Sequence, residues 1–281
     1  MNPETGRDLL PPTRVVYATD FSPDAEQAFP KALEMAEAAR VPLETVHVIE
    51  SPSEEEAELD SSSISDGVAR MRLDARRLMY EFTLKGRSPV TISQTVLRAD
   101  DVSTRLQSLL KERGGGLLVI GAQGQEGRDG GSLGRVAEAM SLRGVYPTMT
   151  VPARARKRGP IRKVLVAVSQ DRWQADDIEK LGGFARGLGA QLAILPLARM
   201  PSDNTLQLRG RVERDMINVV GPVEIDQGAI ERAADGVLRV GAEYVADLII
   251  VPRSLPISGR SKHEGFARSV AGSAFCSVIS Y

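Results

Sequence analysis

Four short apolar runs recur in the two halves of this chain in the same order, and that internal duplication constrains its fold more than any other feature. VVYAT (Val15 to Thr19) is answered by VLVAVS (Val164 to Ser169), and LETVHVI (Leu43 to Ile49) by QLAILPL (Gln191 to Leu197). GGLLVIG (Gly115 to Gly121) is answered by VADLIIVP (Val245 to Pro252), and PTMTVP (Pro147 to Pro152) by CSVISY (Cys276 to Tyr281). Continuous apolar runs of this length are expected of strands buried on both faces, and each is separated from the next by a helix-length segment. Strands alternating with helices imply parallel sheets with helices on both faces. The chain of 281 residues holds two such units: 1–153, a polar linker 154–160 inside the run ARARKRGP (Ala153 to Pro160), and 161–281.

In the first unit, strands are expected over 14–19, 43–49, 91–97, 116–121 and 147–151, and helices over 23–40, 66–86, 101–113 and 133–144. Ser22 is a natural N-cap, with Pro23 at the first helical position, where its missing N–H costs nothing. Ala25, Ala28, Phe29, Ala32, Leu33 and Ala36 form an apolar stripe behind it, and Pro30 is expected to kink the helix. The acidic, serine-rich stretch from Ser51 to Gly67 reads as an exposed connection.

Composition narrows the function. Charged residues make up 26% of the chain with a net charge of −1, so no basic excess exists to neutralise a nucleic-acid backbone. The opening MNPETGRDLLPPTR has no apolar signal core, and no stretch approaches about 18 consecutive apolar residues, so a cytoplasmic protein without membrane contact is expected. Cys276 is the sole cysteine and reads as a buried small hydrophobe in a reducing compartment. His47 and His263 are the only histidines, which leaves no histidine-based metal site and no Ser-His-Asp triad. No catalytic residue is assigned.

The chemistry concentrates in LLVIGAQGQEGRDGGSLGRVAEAM (Leu117 to Met140), where an apolar strand runs into a glycine-rich loop and then a helix start. Glycines let backbone approach closely, and the unpaired N–H groups of a helix N-terminus attract an anion. There is no G-K-[ST] and the loop does not follow the first strand, so neither a Walker A loop nor a dinucleotide fingerprint is present.

Gly121, Gly124 and Gly134 have the spacing G-x2-G-x9-G. With VVYATDFSPDAEQAF (Val15 to Phe29), HVIE (His47 to Glu50) and GRVAE (Gly134 to Glu138), this resembles the ATP-binding members of the universal stress protein family, in tandem form. The likeness covers Arg14 to Pro152 by motif, and Ile161 to Tyr281 by layout. It implies two tandem Rossmann-like three-layer α/β/α units with open parallel sheets of order 3-2-1-4-5. It also implies a ligand at the switch point between strands 1 and 4, and pairing of the two units through their last strands, with a homodimer as a further assembly.

By the same resemblance, Ala18, Thr19 and Asp20 line the ribose side of an ATP or AMP site and the backbone of Leu43 faces adenine. Gly121, Gln123 and Gly124 border ribose and phosphates, and Gly134 and Arg135 cap the phosphates, with any Mg²⁺ carried on the phosphates and no protein cage. A turn-forming role for Asp20 is the plain alternative. Arg135 stands where ATP-binding members have Ser or Thr; a guanidinium there either clamps phosphate or swings to solvent.

In the second unit Ser169 replaces Asp20, Pro252 and Leu255 replace the first two glycines, and Gly265 alone keeps register with Gly134. A proline there fixes φ and removes a donor, so this loop is expected to be solvated and the unit to serve as a structural partner. Slow ATP hydrolysis is the enzymic alternative, and a scaffold that binds no nucleotide is the other.

Overall fold

The apolar runs become strands because both of their faces are covered. In the computed structural model, which describes residues 11–50, 73, 77, 89–124, 133–152, 159–169, 175–198, 218–219, 223–224, 230–256 and 262–281, the first half contains β1 (Val15–Ala18), α1 (Pro23–Ala39), β2 (Leu43–Glu50), β3 (Ile92–Ala99), α2 (Val102–Glu112), β4 (Leu117–Gly121), α3 (Arg135–Arg143) and β5 (Thr148–Val151). The second half contains β6 (Lys163–Ser169), α4 (Ala175–Gly187), β7 (Gln191–Ala198), β8 (Asn218–Val219), β9 (Val223–Glu224), α5 (Ile230–Tyr244), β10 (Leu248–Val251), β11 (Ser254–Pro256), β12 (Lys262–Glu264), α6 (Phe266–Ser273) and β13 (Ser277–Ser280). The stretch Ser51 to Gly67, the helix expected over 66–86 apart from Leu73 and Arg77, and linker residues 153–158 lie outside the described residues.

One sheet runs through the molecule in the order β3-β2-β1-β4-β5-β13-β10-β6-β7-β8, with β9 also pairing with β7. Read from either edge, each half has the order 3-2-1-4-5. Within each half the pairings of this sheet are parallel; where the halves meet, β5 and β13 run antiparallel, Thr150 opposite Val278 and Thr148 opposite Ser280. The Thr150 hydroxyl donates to the Val278 carbonyl (3.3 Å) and the Ser280 hydroxyl to the Thr148 carbonyl (3.3 Å) across that seam.

Alternation along the strands divides the core into layers. Val15, Tyr17, Leu117 and Val119 face a cluster that continues into the second half through Val164, Val166, Leu181 and Phe184, so α1 and α4 lie over one shared apolar floor. Val16, Leu118 and Ile120 point the other way, against Leu106, Leu109 and Leu110 of α2 and Ala137 and Met140 of α3. Leu165, Ile249 and Val251 are covered on that side by Val237 and Val240 of α5 and Phe266 and Val270 of α6. Cys276 is buried in this last layer, and burial pushes its thiol up to about 12, which leaves it un-ionised at neutral pH.

The helix starts follow their caps. Ser22 adopts extended backbone and its hydroxyl accepts from the Ala25 N–H at 3.3 Å, with Pro23 at the helix start; α1 continues through Pro30. Asp101 caps α2 through the Thr104 N–H at 2.6 Å. Gly134 stands at the N-cap of helix α3 and has no side chain with which to cap it.

The second half's glycine-poor loop carries two short strands. Its two arms, β11 and β12, pair antiparallel, Ser254 opposite Glu264 and Pro256 opposite Lys262. Pro252, in the place of Gly121, is buried.

Candidate functional site

Parallel strands deliver all their carboxyl ends to one edge of the sheet, and between β1 and β4 the chain leaves in opposite directions. The gap between the departing segments is a pocket of about 320 Å³, at the lower end of the size range of small-molecule sites. Its floor is Ala18, Thr19 and Asp20 from β1 and its exit, and Ile120, Gly121, Gln123 and Gly124 from β4 and its exit. Gly134, Arg135, Val136 and Ala137 at the start of α3 close one side, Val102 and Leu106 of α2 another, and His47, Val48 and Glu50 of β2 the third.

Eight of the nine residues expected at a ligand site therefore meet there. The exception is Leu43. It is the first residue of β2, in register with Val15 and Ile92, fully buried in the core at the amino ends of the strands. The β2 wall of the pocket comes from its carboxyl end, His47, Val48 and Glu50, because only that end of a parallel strand reaches this edge.

Asp20 forms a turn and also borders the pocket. Its Oδ1 accepts from the Ser22 N–H at 3.0 Å, which makes the turn into α1, and its carboxylate also lines the pocket. Between Asp20 and Ser22, Phe21 is held at φ 61°, a left-handed conformation costly for a bulky residue. That turn is supported locally: the Phe21 N–H donates to the Thr19 hydroxyl at 3.0 Å, and the Phe21 ring lies against that of His47 with centroids 4.7 Å apart. His47 Nδ1 is 2.8 Å from the Thr19 carbonyl. A carbonyl only accepts, so Nδ1 carries the hydrogen of this contact.

The two described ends of the glycine loop touch each other. The Gly134 N–H donates to the Ala122 carbonyl at 2.8 Å, and a Cβ on Gly134 would stand 3.0 Å from the Gly124 nitrogen. Residues 125–132 of the loop lie outside the described residues.

Arg135 neither points deep into the pocket nor swings to open solvent. Its guanidinium pairs with the Glu50 carboxylate across the pocket mouth, the two side chains 61% and 41% exposed. Glu138, one turn along α3, pairs with Arg268 of the second half at 2.8 Å. Glu50 was missed by the sequence reading as a site residue, although HVIE already put an acid at the end of a strand that reaches this edge.

Residues 12–152, half of the chain, match the Universal stress protein family. The chain belongs to the universal stress protein family. No curated protein matches it. Among solved structures, a universal stress protein from Archaeoglobus fulgidus DSM 4304 is 16% identical with a TM-score of 0.71, the match covering 95% of this chain and 97% of that one. A functionally unknown protein from Pseudomonas aeruginosa PAO1 is 12% identical with a TM-score of 0.58, covering 96% and 92%. At these identities the likeness concerns the fold, and it extends over both halves of this family member. Among the described residues, no helix is long and apolar enough to cross a membrane, and no group of three or more His, Cys, Asp or Glu side chains is placed to hold a metal ion.

Proposed function

We propose that this universal stress protein binds an adenine nucleotide, ATP or AMP, in the first-half pocket, and acts as a cytoplasmic regulatory protein whose nucleotide state is read by a partner. The single observation that carries the reading is the meeting of Asp20, Gly121, Gly124 and Gly134 at the switch point, beside a helix start that no side chain of Gly134 caps. The N–H groups at the start of α3 suit phosphate oxygens, and the helix dipole adds roughly half a positive charge there. Asp20 supplies a carboxylate suited to ribose hydroxyls. The apolar wall of Val48, Val102 and Leu106 suits a base. A divalent cation would travel on the phosphates.

The molecule divides, on this reading, into a nucleotide unit over 1–153, a linker over 154–160 and a supporting unit over 161–281. Buried Pro252 and the β11–β12 pairing support a structural role for the second unit. The antiparallel β5–β13 seam lets the two units act as each other's dimer partner within one chain.

A second reading, a scaffold of the same fold without nucleotide, draws on the Arg135–Glu50 pair at the pocket mouth. Denaturing the purified protein and analysing what is released separates the two. Released adenine nucleotide, or calorimetric heat on adding ATP and Mg²⁺, supports the first; neither signal means that the scaffold reading stands.

A further inference from the structure

Arg135 is the first residue of α3, at the positive end of the helix dipole, where a cation is unfavourable. The position becomes tolerable because carboxylates face it from two other elements. Glu50 at the end of β2 pairs with it directly. Asp101 at the N-cap of α2 lies within its field: the carboxyl is held low first by its hydrogen bonds from Thr104 and also by the Arg135 charge. Glu138 on α3 itself is engaged by Arg268. The remaining acid of the pocket, Asp20, is tied into its turn. Among the described residues, the cation at this helix start, Arg135, is therefore already matched by an internal anion, on a strand end that also lines the pocket.

We propose that Glu50 and Arg135 form a charge gate: Glu50 occupies the guanidinium until a ligand phosphate displaces it, so that the pair sets how strongly the site prefers phosphorylated ligands over the bare nucleoside. This rests on the adenine-nucleotide reading above. The Arg135 and Glu50 side chains are 61% and 41% exposed, and an ion pair with that much access to water is weak enough to exchange. A phosphate carries more charge than a carboxylate and meets the guanidinium fork bidentately, so it competes well. Closed, the gate ties the end of β2 to the start of α3. Open, it leaves a released carboxylate at the mouth, which repels each further phosphate charge.

The experiment is calorimetric titration of adenosine, AMP and ATP into the full chain at fixed ionic strength, for wild type, Glu50→Gln, Arg135→Ser and the double variant, with thermal melts confirming that each folds. Glu50→Gln is expected to raise the ATP-to-adenosine affinity ratio by about three- to fivefold, the worth of an exposed pair, and this gain is expected to shrink when Arg135 is Ser. A ratio unchanged by Glu50→Gln, with adenosine and ATP both bound, overturns the gate and leaves the nucleotide reading standing. An equal gain in both Arg135 backgrounds also overturns it, because Glu50 would then act by simple repulsion. No binding of any of the three ligands to wild type or variants overturns the gate and the nucleotide reading together.

Discussion

Gly124 packs so closely against Asp20 that a methyl group on its Cα would stand 2.9 Å from the Asp20 Oδ2 oxygen. Carbon does not tolerate that approach, so a side chain at position 124 must push the Asp20 carboxylate or the loop aside. Gly124→Val is expected to weaken ATP binding at least about tenfold, since misplacing a hydrogen-bonded polar group removes its contribution and leaves a desolvated donor on the ligand. The melting temperature should move little, because the pocket edge holds little of the core. Calorimetry beside a thermal melt checks both halves of this expectation; unchanged affinity would mean that Asp20 does not meet the ligand.

The pocket and the frame were legible in the sequence to different depths. Strands buried on both faces announce themselves as unbroken apolar runs, so Val15–Ala18, Leu117–Gly121 and Leu248–Val251 fall where the runs are. Two glycines of the spaced set sit where a side chain would crowd its neighbours, Gly124 against Asp20 and Gly134 against the Gly124 nitrogen, which is why their spacing was legible. Leu43 was misplaced for a geometric reason. An eight-residue strand spans roughly 23 Å from first to last residue, so its first residue cannot share an edge with Asp20. The Glu50–Arg135 pair joins residues 85 apart in sequence, and its existence depends on where β2 stops relative to α3. The β11–β12 pairing was hidden because its arms carry no apolar alternation.

At the opposite end of the sheet, Glu44 is buried and held from three sides. Arg113 donates twice at 3.0 Å, the Thr95 hydroxyl once at 2.7 Å, and Arg14 lies at 3.6 Å. Burial pushes this carboxyl up, but the Arg113 and Thr95 hydrogen bonds and the two positive charges outweigh it, so the net shift is downward from the ordinary 4.5. A depressed folded pKa means stability that is fully present above the ordinary value and lost as pH falls through the folded one. Glu44→Gln should cost about 1.5–3 kcal/mol at neutral pH, the worth of hydrogen bonds to a charged group. Urea melts of wild type and variant should converge as the pH drops below 4.5; a gap constant with pH would show that the charge is irrelevant.

Arg253, just past β10, stitches the halves together. Its guanidinium donates to the carbonyls of Met140 (3.3 Å) and Tyr146 in the first half, and of Ser280 (3.4 Å) in the second. Burial lowers its pKa to about 10, so it remains charged at neutral pH. Arg253→Met keeps the stem and removes the donors, stranding carbonyls at the seam. Destabilisation of about 1–3 kcal/mol is expected, read by chemical denaturation. An unaltered midpoint would show that water replaces the guanidinium without penalty.

The shared floor of the two halves is closed by a glycine contact between helices. A Cβ on Gly187, the last residue of α4, would stand 2.7 Å from the Ala38 carbonyl oxygen near the end of α1. The obstacle is backbone, so no side-chain rotation relieves it, and α1 and α4 must separate over the cluster that spans both halves. Gly187→Val is expected to lower stability by about 1–3 kcal/mol, the usual cost of overpacking. Because α1 also carries the turn that positions Asp20, the same variant should weaken nucleotide binding more than Arg253→Met does, even where the two lose similar stability. Denaturation and calorimetry on both variants test this, and equal binding losses at matched stability would show that the α1–α4 contact does not reach the pocket.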